Sequence, residues 1–418
     1  MVPSLQVARI PMSRRSVLIL GAYMANSNLT GAKKARNDEF YTQYPDIQKE
    51  IGAYLMYNKD TFRGKVVYCN CDDPYESNFF KYFVLNFNRL GLKKLITTSF
   101  KPSPVANTQL GLFGDDKTLQ PAKGRPKVTA NKFIITEVGD YNDDGQFNLE
   151  DIARQLKENK NNEWTPLQDD GDFRSDECVE LLKQSDIVVT NPPFSLFREY
   201  VAQLIKYDKK FCIIGNMGSV TYKEIFPLIK DNKMWLGNGF HAGNAYFSIP
   251  KENIRQYATG VYDKNTGLVK FRNVSWFTNI DHGRRHQPLQ LMTMADNLKF
   301  NKKMRGKTSY DKYDNYNAIA VPYTDAIPSD FDGVMGVPVS FLDKYSPEQF
   351  NILGMCENED LYKMKTKVYT NQEKKDAYLN KFGKTGQYDL NASGVVLRNN
   401  IYEKVYSRIF IKHRKVGK

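Results

Sequence analysis

Between Lys65 and Asn216 short apolar runs alternate with segments whose apolar residues recur every three or four positions. Lys65-Val66-Val67-Tyr68-Cys69-Asn70-Cys71 has strand character. From Ser77 onward, Phe79, Phe83, Phe87 and Leu90 keep helical spacing until Gly91 closes the segment. Leu95-Ile96-Thr97-Thr98 reads as the next strand, and strand–helix–strand in so short a span implies a parallel pair. The pattern continues with a strand at Lys132–Val138, a helix from about Leu149 to Glu158 and a helix at Ser175–Gln184. A strand at Asp186–Thr190, a helix at Leu196–Tyr207 and a strand at Phe211–Asn216 follow. Phe197, Val201, Leu204 and Ile205 share one face of that helix, and Ser195 stands where an N-cap belongs. The fold class is therefore α/β, with ligands expected at the carboxyl ends of parallel strands.

Other stretches break the rhythm. Residues 101–130 are polar and rich in Pro, Gly and Lys, so an insertion is expected over about 101–165. Beyond Pro250 the pattern is irregular, apart from a helix expected at Pro347–Leu353 and a late strand in the alternating segment Val405–Ile411. A boundary near 250 divides a domain over 37–250 from a mixed domain over 251–418. Residues 1–36 carry six Lys/Arg and no acid and are expected to form a disordered basic arm, with Met1 or Met24 as the start. No internal repeat is found.

Composition narrows the partner. Lys and Arg number 60 against 47 acids in 418 residues, a net charge of +13 that suits a polyanion. Five scattered cysteines argue against a disulfide framework and for a reducing cytoplasm. Cys69 and Cys71 should point the same way from one strand, as small core residues. No long apolar run could span a bilayer, and the signal-like stretch from Ser13 to Leu20 is interrupted by Gly21 and Tyr23.

Asn191-Pro192-Pro193-Phe194 follows the strand Asp186–Thr190 directly. Two prolines stiffen the loop and fix the direction of the Pro192 carbonyl. An Asn oxygen beside a carbonyl forms a two-acceptor cradle for an NH₂ group. Such a cradle favours pyramidalisation of an aromatic amine and aims its lone pair, so no strong base is needed. Phe194 offers a face for stacking a base, worth about 1–3 kcal/mol.

Here the chain resembles the EcoRI-type adenine-specific DNA methyltransferases. The resemblance is carried by Asp38-Glu39-Phe40-Tyr41-Thr42-Gln43, by Val66 to Phe83, by Gly171-Asp172-Phe173-Arg174-Ser175, by Ser185 to Lys210 and by Gly333 to Pro338. It implies a Rossmann-like S-adenosyl-L-methionine-dependent methyltransferase sheet followed by a target-recognition domain. It also implies that Asn191, Pro192, Pro193 and Phe194 are catalytic and that adenine flips from double-stranded DNA into their pocket. Phe40, Tyr41 and Thr42 match the segment that helps hold the donor, and Asp172, with Phe173, the acid that receives the donor's adenine amino group. Asp72, Asp73 and Pro74 begin the segment that replaces the glycine-rich donor loop, although Asp73–Phe79 contains no glycine. A monomer is expected, with a cognate restriction endonuclease acting separately as a candidate partner.

Two further patterns stand beside this one. Asp140 to Asp151 fits a twelve-residue calcium loop with Asp140, Asn142, Asp144 and Asp151 as ligands and Gly145 at position six. The alternative is a turn that caps the following helix. Arg284, Arg285, Lys302 and Arg305 lie among aromatic residues after the catalytic half and are candidate DNA contacts, as is the segment Ser275–Asn279. His282 and His286 read as polar surface. Rival functions are a methyltransferase for RNA adenine or another amine, a non-catalytic DNA-binding relative, and a nuclease. Intact Asn191–Phe194 opposes the second, and Glu373-Lys374-Lys375 lacks the strand context the third requires.

Overall fold

The computed structural model describes residues 41–71, 77–100, 130–141, 145, 147–157, 161–240, 244–248, 261–405 and 407–414. The arm 1–36 and the stretch 101–129 lie outside them, as do Phe40, Asp72, Asp73, Pro74, Asn142 and Asp144.

Among the described residues eight strands form a central sheet. Its order is β5 (Asn162–Pro166), β4 (Asn131–Ile135), β3 (Lys94–Thr98), β2 (Val66–Cys69), β6 (Ile187–Thr190), β7 (Lys210–Asn216), β12 (Val274–Thr278) and β8 (Trp235–Leu236). The middle strands β3, β2, β6 and β7 are parallel, and the flanking pairs are antiparallel. Every residue of β2 and β6 is buried, which is why they read as unbroken apolar runs.

Period-two alternation divides those strands between two cores. Val66, Tyr68, Val188, Phe211 and Ile213 enter one, against the helices Asp176–Gln184 and Phe197–Lys206. Val67, Cys69, Val189, Cys212 and Ile214 enter the other, against the helices Tyr44–Tyr57 and Asn78–Leu85. Local signals set the helix ends. Ser77 Oγ accepts from the Phe79 and Phe80 N–H groups, and Gly91, at φ 64°, ends the following turn. Ser195 does not cap its helix, because Phe194–Leu196 forms a 3₁₀ turn first. Cys71 lies past the strand end at φ 63°, so it does not share the direction of Cys69.

The second core also seats a small sheet in the order β1 (Tyr41–Thr42), β9 (Asn244–Ser248), β11 (Leu268–Arg272) and β10 (Tyr262–Asp263). Its inward residues Phe247 and Phe271 meet Phe240 and Trp276 through ring contacts. A third sheet, in the order β13 (Asp311–Lys312), β14 (Ile319–Ala320), β15 (Met335–Pro338), β19 (Arg408–His413) and β16 (Phe350–Met355), shares the first core. The hairpin of β17 (Gly394–Arg398) and β18 (Ile401–Val405) stands beside it.

These observations correct two expectations. A boundary at 250 does not hold, because β12 completes the central sheet, and Met335, Phe341, Phe350 and Ile411 share a core with Tyr68. Segment 347–353 is not a helix, since Phe350–Met355 pairs with β19. The insertion expected over about 101–165 includes β4 and β5, which extend the central sheet.

His286 links Asp281 and the helix Tyr44–Tyr57 to Glu348, two residues before β16. Its Nε2 lies 2.8 Å from Asp281 and its Nδ1 2.7 Å from Glu348, and its ring stacks on Tyr57. Burial alone would lower its pKa, but the two carboxylates outweigh that and raise it. A raised pKa stabilises the fold below the ordinary histidine range and loses that contribution as pH rises through the folded value. Against His286→Gln, the wild type should therefore show its largest melting-temperature advantage near pH 6, with the difference shrinking by pH 8.5. A difference independent of pH would contradict this.

Candidate functional site

The carboxyl ends of β2 and β6 lie side by side and are stapled together. Thr190 Oγ1 donates to the Asn70 carbonyl, and the Tyr200 hydroxyl donates to Asn70 Oδ1. All three residues are buried. Tyr200 belongs to the helix that follows Asn191–Phe194, so Asn70 fixes the loop from both sides. Phe197 locks the same helix onto β7. A Cβ on Gly215 would stand 2.4 Å from the Phe197 ring, which also packs on Phe277 at 4.9 Å.

Within the loop Pro192 is buried, whereas Asn191, Pro193 and Phe194 are half-buried. The Pro193 carbonyl accepts from Leu196 N at 3.0 Å and closes the 3₁₀ turn. Phe194 packs at the margin of the second core.

The segment Tyr41–Thr42 reaches this edge as β1, held by pairing with Ser248 and Phe247. The Thr42 carbonyl accepts from Asn78 Nδ2 at 2.7 Å, which ties it to the helix start after β2. Thr42 Oγ1 is buried and has no hydrogen-bond partner among the described residues. An orphaned hydroxyl at a strand-end edge is the kind of group a bound ligand satisfies.

Asp172 approaches from the other side. Gly171, at φ 80°, sits so close to β3 that a Cβ would stand 2.0 Å from the Ser99 carbonyl oxygen. Arg174 grips both Asp172 oxygens, at 2.8 and 2.6 Å, and also reaches Glu199 at 3.0 Å. The Arg174 hydrogen bonds pull the Asp172 pKa down, so this carboxylate stays charged and acceptor-only. Phe173 is buried against Tyr200 at a ring distance of 5.0 Å, so it packs the site and offers no free face.

The acidic loop closes on itself. Asp151 is buried and accepts from Tyr141 N at 2.9 Å and Asn148 N at 2.7 Å, while Asp140 accepts from Gly145 N at 2.7 Å. These bonds make a turn that caps the helix Leu149–Lys157. Among the described residues no group of His, Cys, Asp or Glu could hold a metal ion.

The candidate DNA contacts separate into two kinds. Arg284 binds the Asn238 carbonyl and pairs with Asp343 at 2.7 Å. Arg285 is buried, stacks 3.7 Å above the Trp235 ring and donates to Asn232 Oδ1. Arg285 is thus buried and paired within the chain, while Arg284, paired with Asp343, keeps 32% of its side chain exposed. Trp276 and its neighbours form the buried strand β12, and His282 is buried with Nε2 3.0 Å from the Leu236 carbonyl. Lys302 and Arg305 are exposed.

Asn70, Thr190 and Tyr200 were absent from the residues singled out in the sequence. The one available signal was a polar Asn70 at the end of an apolar run.

A family model described as "Adenine-specific methyltransferase EcoRI" matches residues 28–414. The chain is 45% identical over 339 residues to the Type II methyltransferase M.EcoRI of Escherichia coli, covering 80% of this chain and 91% of that protein. It is 34% identical over 344 residues to the Type II methyltransferase M.MpnI of Mycoplasma pneumoniae, covering 81% and 89% respectively. A similar relative is the Type II methyltransferase M.MgeORF184P of Mycoplasma genitalium, 34% identical over 329 residues, or 78% of this chain and 86% of that protein. No solved structure matches.

Two measurements check the geometry. Tyr200→Phe leaves Asn70 Oδ1 buried without its donor, so unfolding by urea should show a loss of about 1–3 kcal/mol. An unchanged midpoint would mean that the Asn70 staple contributes nothing. For the loop Asp140–Asp151, melting curves with calcium and with a chelator should coincide, since Asp140 and Asp151 already accept backbone N–H groups. A drop in melting temperature with chelator would point to bound calcium.

Proposed function

The chain belongs to the EcoRI family of adenine-specific methyltransferases, and from that membership we propose how its own residues carry out the reaction. It is an adenine-specific methyltransferase, and the family uses S-adenosylmethionine as donor. We assign the substrate as duplex DNA and the role as the modification half of a Type II restriction–modification pair, in line with the names of its relatives. A charge of +13 supports a polyanionic substrate.

In this reading the central sheet is the Rossmann-like donor sheet, with chemistry at the carboxyl ends of its parallel strands. The bound donor supplies an electrophilic methyl group. Thr42 offers it an unsatisfied hydroxyl, and Asp172 an acceptor held charged by Arg174. Each carboxylate oxygen has two lone pairs, and only one contact from Arg174 to Oδ2 is made, so Asp172 can accept a further N–H.

The target adenine leaves the duplex and enters between Asn191, Pro192 and Phe194. Asn191 Oδ1 and the Pro192 carbonyl accept the two N6 hydrogens, which turns the nitrogen lone pair out of the ring plane. Phe194 stacks on the base. The proton leaves to solvent after transfer, so the absence of a strong base from the loop fits the chemistry. Positioning supplies the rate, which explains why the loop is fixed from both sides through Asn70. Exposed Lys302 and Arg305 are suited to phosphate contacts.

The observation that carries this reading is Asn191–Phe194 at the end of a central parallel strand, with Thr42, whose hydroxyl has no partner among the described residues, tied by Asn78 to the helix that follows the neighbouring strand β2. Asn191→Ala should lower turnover by roughly 10²-fold or more while DNA affinity stays unchanged, as for a contact made mainly in the transition state. Single-turnover methylation and a binding titration on the same variant check this. Near-normal turnover would overturn the assignment.

A further inference from the structure

Glu50 is a buried carboxylate that the proposed chemistry does not use. It lies on the helix Tyr44–Tyr57 and is 1% exposed. Three donors converge on it: the Tyr54 hydroxyl at 2.6 Å, Asn238 N at 2.9 Å and Gly239 N at 3.0 Å. Burial pushes its pKa up, and these hydrogen bonds pull it back part of the way. A charge-bearing group in such a place costs stability unless well paired, so its presence calls for an explanation beyond packing.

The segment it grips follows β8. Because β8 runs in the same direction as β7, this segment leaves the sheet at the same edge as Asn191. It is held from other sides too. Lys49 Nζ donates to the Gly239 carbonyl at 3.3 Å, and Arg284 donates to the Asn238 carbonyl. A Cβ on Gly237 would stand 2.1 Å from Glu50 Oε1, so no side chain fits between segment and carboxylate.

The chain then passes Phe240, whose ring stacks on Trp276, and enters β9 at Asn244. β9 pairs with β1, the strand that carries Thr42, and β1 leads through Gln43 into the helix that carries Glu50. Glu50 thus closes a ring of structure: Thr42, its helix, Glu50, the segment 237–239, β9 and Thr42 again.

We propose that Glu50 is a positioning residue for the methyl donor, closing this ring so that Thr42 is held at the donor site. It touches neither donor nor base. The inference rests on the reading of β1 as a donor strand, and it adds the residue that sets the strand's position. A glutamine at 50 keeps the shape but turns an N–H₂ toward one of the two backbone N–H groups. One contact becomes a donor–donor conflict, and the segment must shift.

The test uses the intact chain. Glu50→Gln is titrated with S-adenosylmethionine by calorimetry and, without donor, with a mixed-sequence duplex at fixed salt. The donor dissociation constant should rise about tenfold while the DNA constant stays within about twofold, the scale of one lost charge-assisted hydrogen bond. A general loss of structure would weaken both together, so the split between them reports positioning. Should Glu50→Gln fail to fold, Gly237→Ala lifts the segment from an intact carboxylate and should give the same split. Unchanged donor affinity in a folded variant, or equal losses for donor and DNA, would overturn the proposal. Thr42→Val separates the two layers of the argument. If it weakens donor binding and Glu50→Gln does not, only the ring fails. If Thr42→Val itself leaves donor affinity unchanged, the donor-strand reading fails first.

Discussion

The site depends on two parallel strands ending together. β2 and β6 are buried on both faces, so their polar termini must be satisfied locally at the edge. Asn70 meets that demand by taking a hydroxyl from Thr190 at its carbonyl and one from Tyr200 at its side chain. The loop Asn191–Phe194 lies between those two donors in the chain and has little freedom left. The same hydrogen bonds that satisfy a buried strand end therefore also orient the proposed catalytic acceptors.

The rest of the fold works as support around that edge. One core couples the central sheet to the third sheet through Met335, Phe341, Phe350 and Ile411, so the C-terminal half is packed onto the catalytic half. The other core carries the small sheet, whose strand β1 holds Thr42 at the proposed donor site. Cations in the sequence serve this architecture as well as any polyanion. Arg284 and Arg285 link segments inside the protein, and Arg174 holds Asp172 in its charged form.

The parallel strands were legible because burial on both faces leaves unbroken apolar runs, and Ser77, Gly91 and Ser175 marked helix ends through side-chain and backbone chemistry. Asn191–Phe194 stood out for the same reason, as a rigid polar interruption at a strand end. Long-range pairing was not legible. β12 pairs with a strand about sixty residues earlier, and nothing in Ser275–Asn279 distinguishes a buried strand from an aromatic surface. Segment 347–353 misled because a short apolar run has no decisive period, and only pairing with β19 makes it a strand. The intramolecular partners of Arg284 and Arg285 were not legible either, because composition does not say whether a cation's partner is a phosphate or a carboxylate of its own chain.

The most direct test of the whole account is chemical. The purified protein is incubated with duplex DNA and S-adenosylmethionine labelled in its methyl group, the DNA is digested to nucleosides, and the label is located by chromatography. The account predicts label in N6-methyladenine alone. Label in a methylated cytosine, or no transfer to DNA under conditions where the protein binds both donor and duplex, would contradict it.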